Sequence, residues 1–252
     1  MKKIFSISSL LPIAYCLLSI AISSCKKENL CDCIKGTGDI IKEQRSVSDF
    51  TSIEVNRNIY VVLTQDTINS VEVEAGENLL PLIRTHVRDG LLIINNDNTC
   101  NWVRDYSKKI TAYVHVKDLR EIRSYSTKNI ISTNVITSSK IDILNFFSGD
   151  ITVIISAAES YTKQMGSGGD ITVSGHSGFN YIFSQGYGYL HLENLDSESA
   201  LVWQKGTGDI HLSVRNSMDV QIDYVGNVYY SGNPVIDQRP SPGSGTWEGC
   251  RR

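Results

Sequence analysis

The sequence has little proline and no excess of basic charge, and each shortage excludes a class of protein. There are 5 prolines against 19 glycines in 252 residues, which is typical of many strands joined by tight turns. Lys and Arg total 24 against 27 Asp and Glu, so the chain lacks the basic surface that nucleic-acid binding needs. With 20% charged and 41% hydrophobic residues, the chain is neither disordered nor a polytopic membrane protein.

The one long uncharged run lies at the N-terminus. Residues 1–3 are basic, residues 4–24 carry no charge, and an aliphatic residue and two serines precede Cys25. This order resembles a bacterial lipobox and predicts a signal peptide over 1–24, with lipid on Cys25 tethering the chain to a membrane. An uncleaved signal anchor is the alternative, since about 20 apolar residues can span a bilayer. Cleavage would remove Lys2 and Lys3 and change the formal charge from −3 to −5, which weakens any case for binding anionic polymers.

Four cysteines remain once the signal peptide and the lipidated residue are set aside: Cys31, Cys33, Cys100 and Cys250. An even number in an oxidising compartment indicates disulfides, and four cysteines allow three pairings. Cys31 and Cys33 are too close in sequence for an easy bridge, so we expect each to reach towards Cys100 or Cys250. A metal site is the alternative, but Cys-x-Cys without a second close Cys or His pair is a weak zinc signal.

A repeat of about 20 residues fills the chain from about residue 120. A tight turn precedes an aliphatic residue in each repeat, and these aliphatic residues are Ile130, Ile151, Ile171, Leu190, Ile210 and Val228. Alternating apolar residues around them predict two short half-buried strands per repeat, with breaks at Ser132 and Lys163. The leucine-rich-repeat pattern is missing. Coils of this length that stack on one another form an all-β solenoid, a parallel β-helix or β-roll.

We interpret the Gly-Asx pairs that begin these repeats as residues that form the turns, because Asx side chains hydrogen-bond their own backbone. Asp150 and Asp170 would lie roughly 5 Å apart on adjacent coils, so a glycosidase-like carboxylate pair is the alternative. Gly166–Asp170 faintly resembles a calcium-binding nonapeptide, but the period is 20 rather than 9. Gly-x-Ser-x-Gly, His-Glu-x-x-His and P-loop motifs do not occur in the sequence.

The first half of the chain is strand-rich but less regular. Gly36–Ile40 matches the later Gly206–Ile210, which favours an N-terminus that joins the same stack. Glu77–Val87 is expected to be a short helix or a turn, and 239–245 a loop held by Cys250. No low-complexity linker interrupts the mature chain, so we predict a tether and first strand over 25–48 and one domain over 49–252.

Several short motifs occur in a specific order. They are the lipobox, Cys33–Gly38, Phe50-x-x-Ile53-x-Val55, Glu77–Leu80, Gly90–Ile93, Thr99–Arg104 and the Gly-x-Gly-Asp-Ile turns. Together they resemble the family called putative auto-transporter adhesin, head GIN domain, over nearly all of the mature chain. The resemblance implies a right-handed β-helix-like domain, common in lipoproteins of Bacteroides-type bacteria, with a surface role. It brings no catalytic or ligand-binding residues.

Two sets of outward residues are candidate sites. The position after each aliphatic residue should face outward, which stacks His191 on His211 beside Glu193. Two imidazoles and a carboxylate suit zinc or another transition metal, and a solvated strand face is the alternative. The other set is aromatic and comprises Tyr187, Tyr189, Trp203 and Tyr229. Exposed aromatic rings suit a sugar or a protein partner. The alternative is that these rings only pack on one another as a ladder that stabilises the solenoid.

The function predicted from these features is a membrane-anchored β-helix that displays a binding surface and has no catalysis or cofactor. Its expected location is the outer membrane, at the cell surface or on the periplasmic face, and its expected partner is a glycan or an envelope or host protein. Nucleic acid is not an expected partner. The alternatives are a polysaccharide-degrading β-helix enzyme and a structural envelope component that self-associates through exposed strands as a homo-oligomer.

Overall fold

The computed structural model describes residues 36–99 and 109–250, and across these ranges the chain forms one sheet of sixteen strands. A 3-10 turn, Leu80–Leu82, lies between β4 and β5. No helix within the described ranges has the length and apolar character to cross a membrane. The strands are β1 (Ile40–Arg45), β2 (Ser52–Arg57), β3 (Tyr60–Gln65), β4 (Ser70–Gly76), β5 (Ile83–Arg88), β6 (Leu91–Asn96), β7 (Thr111–Val116), β8 (Glu121–Ser126), β9 (Ile130–Asn145), β10 (Ile151–Met165), β11 (Ile171–Gln185), β12 (Leu190–Gln204), β13 (Ile210–Ile222), β14 (Val228–Ser231), β15 (Val235–Gln238) and β16 (Trp247–Gly249).

Strands β9 to β13 run parallel and stack one coil on the next. The predicted aliphatic column is in register, since Ile151 pairs with both Ile130 and Ile171, and Leu190 continues the column to Ile210. Each coil contains one strand of 13 to 16 residues instead of two short ones. The pairing register shifts early in β10, between Thr152 and Ile154, and early in β11, between Thr172 and Gly175, and it shifts again between Leu192 and Ser199 in β12. The predicted solenoid of about 20-residue coils is confirmed, with about six turns.

The solenoid has two faces. From β9 to β13 each long strand contributes to both faces, whereas before β9 each face is formed by separate strands. The first part of β9 pairs with β3, whereas its last part pairs with β8. One ladder therefore runs β1-β4-β7-β3 into the long strands, and the other runs β5-β6-β2-β8 into the same strands. We call the surface over the first half of each long strand the first face, and the surface over the second half the second face.

The N-terminal end of both ladders is antiparallel. β1 pairs antiparallel with β4, so the chain after Gly36 joins the same sheet as the coils, as expected, but not as one more parallel coil. β1 is an edge strand, and its side chains are exposed on both sides. The Gly36–Ile40 segment therefore matches the later turn in sequence, but its strand is not buried as the later strands are. The segment Glu77–Val87 forms the 3-10 turn and most of β5, which pairs antiparallel with β6 through an Asp89-Gly90 hairpin turn.

The core is a set of aliphatic columns between the two ladders. Side chains of Ile130, Ile151 and Ile171 have no exposed surface, and their strand neighbours alternate between buried and half-buried. The predicted break at Lys163 is corrected, because Thr162 pairs with Ile143 and Ile182 and is itself buried. The corner from Gln164 to Ile171 is one residue longer than the equivalent corner from Asn145 to Ile151, so Lys163 points outward.

The C-terminal segment closes the other end of the stack. β14 and β16 extend the first face, and β15 extends the second. Residues 239–245 contain no strand, as the loop prediction requires. The Cys250 amide donates to the Tyr230 carbonyl at 2.7 Å, so a backbone contact holds this end of the chain.

Candidate functional site

The corner that leads into each long strand is built from glycines, and we call it the turn edge. It comprises Gly149, Gly169, Gly188, Gly208 and Gly226, with the Asx residue or tyrosine after each. A Cβ atom at Gly208 would collide with the carbonyl oxygen of Gly188, and one at Gly169 would collide with that of Gly149. Glycine recurs here because successive backbones approach too closely for any side chain.

The Asx residues of the turn edge connect each coil to the next by hydrogen bonds. The Asp170 amide donates to Asp150 Oδ1 at 3.0 Å, and the Tyr189 amide donates to Asp170 Oδ1 at 2.8 Å. The same contact joins the Asn227 amide to Asp209 Oδ1 at 2.8 Å. These carboxylates accept from backbone donors of the next coil and not from their own turn, so the column has a structural role in the corner but not through the expected local Asx turns.

A buried polar column lies behind the turn edge, and the sequence analysis missed it. Register pairs Asn145, Gln164, Ser184 and Gln204 on successive coils, and all four are buried. Gln204 Nε2 donates to the Gly208 carbonyl at 2.7 Å, and Gln204 Oε1 accepts from the Gly206 amide at 2.8 Å. The amide side chains therefore pair the backbone groups of the corner. Their spacing of 19 to 20 residues was a usable signal.

The first face carries a ladder of four stacked rings. Tyr189 and His191 lie 6.1 Å apart between ring centroids, His191 and His211 lie 6.0 Å apart, and His211 and Tyr229 lie 4.9 Å apart. All three pairs are close to parallel. The structure therefore confirms that the two histidines point outward and stack on adjacent coils.

The predicted metal site at His191, His211 and Glu193 stays a prediction. The imidazoles of His191 and His211 stack with centroids 6.0 Å apart, and His191 Nδ1 lies 3.9 Å from Glu193 Oε1. Within residues 36–99 and 109–250, no three His, Cys, Asp or Glu side chains are grouped to hold a metal ion.

The four aromatic candidates do not converge on one site. Tyr189 and Tyr229 are the ends of the ring ladder, and Tyr187 lies beside them at the turn edge with 68% of its surface exposed. Trp203 lies in the second half of β12, on the second face. The structure thus divides this predicted set between the two faces.

Trp203 belongs to a larger group that we call the aromatic patch. Its members are half-buried, point outward from three adjacent strands of the second face, and are Tyr161, Phe179, Tyr181, Phe183, Leu201 and Trp203. Tyr161 and Tyr181 stack across strands at 5.8 Å, and Phe183 meets Trp203 edge to face at 5.4 Å. Such pairs hold the rings in place. Cross-strand aromatic packing therefore forms a continuous surface on the second face.

Charged groups frame the aromatic patch. Lys140 Nζ lies 4.3 Å from the Tyr161 ring centroid, and Lys205 Nζ lies 4.7 Å from that of Trp203. Trp203 Nε1 donates to Asp223 Oδ2 at 2.8 Å, and this hydrogen bond lowers the pKa of the Asp223 carboxyl. Burial raises the pKa of the Tyr181 hydroxyl, because the patch partly removes it from water.

The sequence contained a signal for the aromatic patch that was not used. Tyr161 and Tyr181 are 20 residues apart, and so are Phe183 and Trp203, which is the period of the repeat. Any two residues one period apart on a strand lie side by side in the solenoid. Trp203 is the one member of the aromatic patch that the sequence analysis predicted as a binding residue.

The cysteine predictions fall mostly outside the described residues. Cys25, Cys31, Cys33 and Cys100 lie there, and so does the proposed signal peptide. Cys250 lies within them, is exposed and has a free thiol. The predicted disulfide pairing and the lipidation of Cys25 therefore stay predictions.

Comparison with solved structures identifies the fold. A putative adhesin from Bacteroides fragilis superposes with a TM-score of 0.79 at 21% identity, covering 86% of this chain and 100% of that one. A putative adhesin and a putative lipid binding protein, both from Parabacteroides distasonis, each give a TM-score of 0.64, at 21% and 17% identity. Both comparisons cover 86% of this chain, with 100% and 99% of the other. At these identities the likeness establishes a shared fold.

Comparison at the sequence level identifies the family. No curated protein matches the chain significantly. A family model does match, over residues 49–234, which include every strand from β2 to β14 and the whole aromatic patch. The chain therefore belongs to the family described as putative auto-transporter adhesin, head GIN domain.

Proposed function

We propose that this protein is a lipid-anchored envelope protein that binds a glycan through the aromatic patch and does not transform it. The observation that carries the proposal is the patch itself: six outward apolar side chains on three adjacent strands, held by ring stacking. Membership of a family described as adhesins supports a binding role at the envelope.

The dimensions of the aromatic patch suit a short oligosaccharide. Three strands about 4.8 Å apart and four residues along a strand give an area of about 10 Å by 13 Å. A stable protein interface buries about 800 Å² on each partner, which is several times larger. A few sugar rings would cover the patch, whereas a folded protein partner would need much more surface than the patch supplies.

The chemistry of the aromatic patch also suits sugars. The carbon-bound hydrogens on one side of a sugar ring carry a slight positive charge, which the negative face of an aromatic ring attracts. Around the rings, Lys140, Lys163 and Lys205 supply donors, and Glu159 and Asp223 supply acceptors for hydroxyl groups. Apolar centre and polar rim together give both affinity and orientation.

A glycan array tests this proposal. The full-length protein should bind a subset of glycans, and Trp203→Thr should abolish that binding while the first-face variant His211→Thr should retain it. Binding that survives Trp203→Thr, or binding only to proteins in a parallel array, would overturn the glycan assignment. Release of new reducing ends from a bound glycan would overturn the absence of catalysis.

The membrane anchor needs a separate measurement. Cells that express the wild-type protein should incorporate a labelled palmitate analogue into it, and Cys25→Ser should incorporate none. Labelling of intact cells with a membrane-impermeant reagent then distinguishes display at the cell surface from a periplasmic position. Equal palmitate incorporation in both proteins would overturn the anchor at Cys25.

A further inference from the structure

A groove of about 470 Å³ lies at the corner where β2, β6 and β8 end, away from the aromatic patch. This volume falls within the range of ligand-binding clefts. Its lining combines amides, two aromatic rings and one cation, and consists of Asn56, Arg57, Asn58, Asn95, Asn98, Tyr125, Thr127 and Phe147.

The amide wall of the groove is rigid. Asn98 Nδ2 donates to Asn96 Oδ1 at 2.7 Å and to the Leu79 carbonyl at 3.0 Å, and Asn96 Nδ2 donates to Asn58 Oδ1 at 2.6 Å. Asn95 Nδ2 donates to Asp97 Oδ1. With these bonds made, Asn58 Nδ2 and Asn95 Oδ1 have no protein partner within the described chain. A fixed donor and a fixed acceptor thus lie at the groove, ready for a polar ligand.

The aromatic wall of the groove is held in place as well. The Tyr125 ring stacks on Phe146 with centroids 4.4 Å apart and an interplanar angle of 10°. Tyr125 is 37% exposed and Phe147 is 50% exposed, although both are large apolar side chains. A stacked and partly exposed ring is a prepared surface for the flat side of a ligand.

Among the described residues that line the groove, Arg57 is the one charged side chain. Its Nη1 donates to the Asn96 carbonyl at 3.0 Å, and no described carboxylate pairs with it. Its φ is +65°, a conformation that side chains other than glycine adopt rarely. The other such residue, Asp89, precedes a glycine in the β5–β6 hairpin turn, where this conformation is ordinary. Strained backbone of this kind concentrates at functional sites.

We propose that this groove binds one carboxylate-bearing sugar residue. The guanidinium of Arg57 would pair with the carboxylate, for which its planar fork is suited. The amides would bond the hydroxyls, and Tyr125 would cover one side of the ring. The groove shares no residue with the aromatic patch, so each proposed site can be tested independently of the other.

Saturation-transfer NMR on the full-length protein tests this site with defined probes. The probes are the methyl glycosides of glucuronic acid, galacturonic acid and N-acetylneuraminic acid, with those of glucose and galactose as neutral controls. At least one acidic sugar should show saturation transfer, and the neutral sugars should show at least tenfold weaker binding. No transfer to any acidic sugar, or equal transfer to the neutral ones, would overturn the proposal.

Variants at Arg57 assign the binding to the groove. Arg57→Ala keeps the same backbone restriction and should weaken binding of the acidic sugar about tenfold or more. Arg57→Gly relieves the positive φ, so it should remain folded while losing the sugar equally. The first-face variant His211→Thr should bind the acidic sugar as the wild-type protein does. Unchanged affinity in both Arg57 variants would overturn the assignment, whatever the outcome at the aromatic patch.

Discussion

At the turn edge of the solenoid the same residue types recur in coil after coil, whereas the outward columns of the second face change at almost every step. Glycine precedes the Asx residue at 149, 169 and 208, but one outward column reads Glu159, Phe179, Ser199 and Ser217. The turn-edge residues contact the neighbouring coil through backbone or carboxylate atoms. The difference teaches that repeated positions hold the coils together, and that varied outward positions form the surfaces a partner can recognise.

The largest expected effect comes from a side chain at the turn edge. Gly208→Ala places a Cβ against the Gly188 carbonyl oxygen, and the coils cannot separate without losing strand hydrogen bonds. We expect a loss of about 3 kcal/mol in the free energy of unfolding and a fall of about 10 °C in Tm, measured by thermal denaturation. Gly36→Ala is the matched control, since its Cβ meets no atom within 4 Å. Equal Tm values for the two variants would contradict the steric argument.

The buried amide column should give the next largest effect. Gln204→Leu leaves the Gly206 amide and the Gly208 carbonyl without their side-chain partner. The next coil has Ile222 at the same register position, so the space accepts an aliphatic side chain. We expect a loss of about 2 kcal/mol, measured by urea denaturation. The exposed Gln185→Leu should cost almost nothing, and a comparable loss there would show that the buried amide bonds are not the cause.

A single Asx contact should matter less. Asp170→Ala removes the acceptor for the Tyr189 amide, which we expect to cost about 1 kcal/mol. Asp170→Asn keeps an acceptor oxygen and should have nearly wild-type stability in the same denaturation experiment. If the asparagine variant were destabilised as much as alanine, the charge and not the hydrogen bond would be the stabilising element.

The smallest expected effect is a pH dependence at the edge of the aromatic patch. The Trp203 indole and then Gln221 hydrogen-bond Asp223, which lowers the carboxyl pKa from its ordinary 3.8 in the folded protein. A lowered folded pKa stabilises the protein above the unfolded pKa, and this contribution is lost as pH falls through the folded value. The stability difference between the wild-type protein and Asp223→Asn should therefore shrink on acidification from pH 5 to 3. A stability difference that is constant with pH would contradict a stabilising hydrogen bond to the ionised Asp223 carboxylate.

The sequence predicted the repeated part of this fold more fully than the rest. The Gly-Asx turns and the aliphatic residues after them gave the period, because they recur for steric reasons in every coil. The period alone could not show that the corner after Gln164 is one residue longer than the corner after Asn145, which places Thr162, and not Lys163, in the core. The repeat gives an average coil length and does not show where one coil has an extra residue.

The candidate sites were harder to predict for a related reason. The aromatic patch joins Tyr161, Tyr181 and Trp203 across coils, so it has no contiguous motif. The groove brings Arg57 and Tyr125 together from strands that are far apart in the chain. The repeat period predicted that His191 and His211 are neighbours, but it could not predict that their rings stack face to face.

One paired measurement tests the central claim that repeated positions fold the protein and varied outward positions bind its partner. Tm and affinity for the best glycan from the array are measured for Asp170→Ala and Trp203→Thr. The account predicts that Asp170→Ala lowers Tm and retains binding, while Trp203→Thr costs less than about 1 kcal/mol, as expected for a cross-strand surface pair, and abolishes binding. Trp203→Thr with wild-type affinity, or Asp170→Ala with wild-type Tm and no binding, would contradict it.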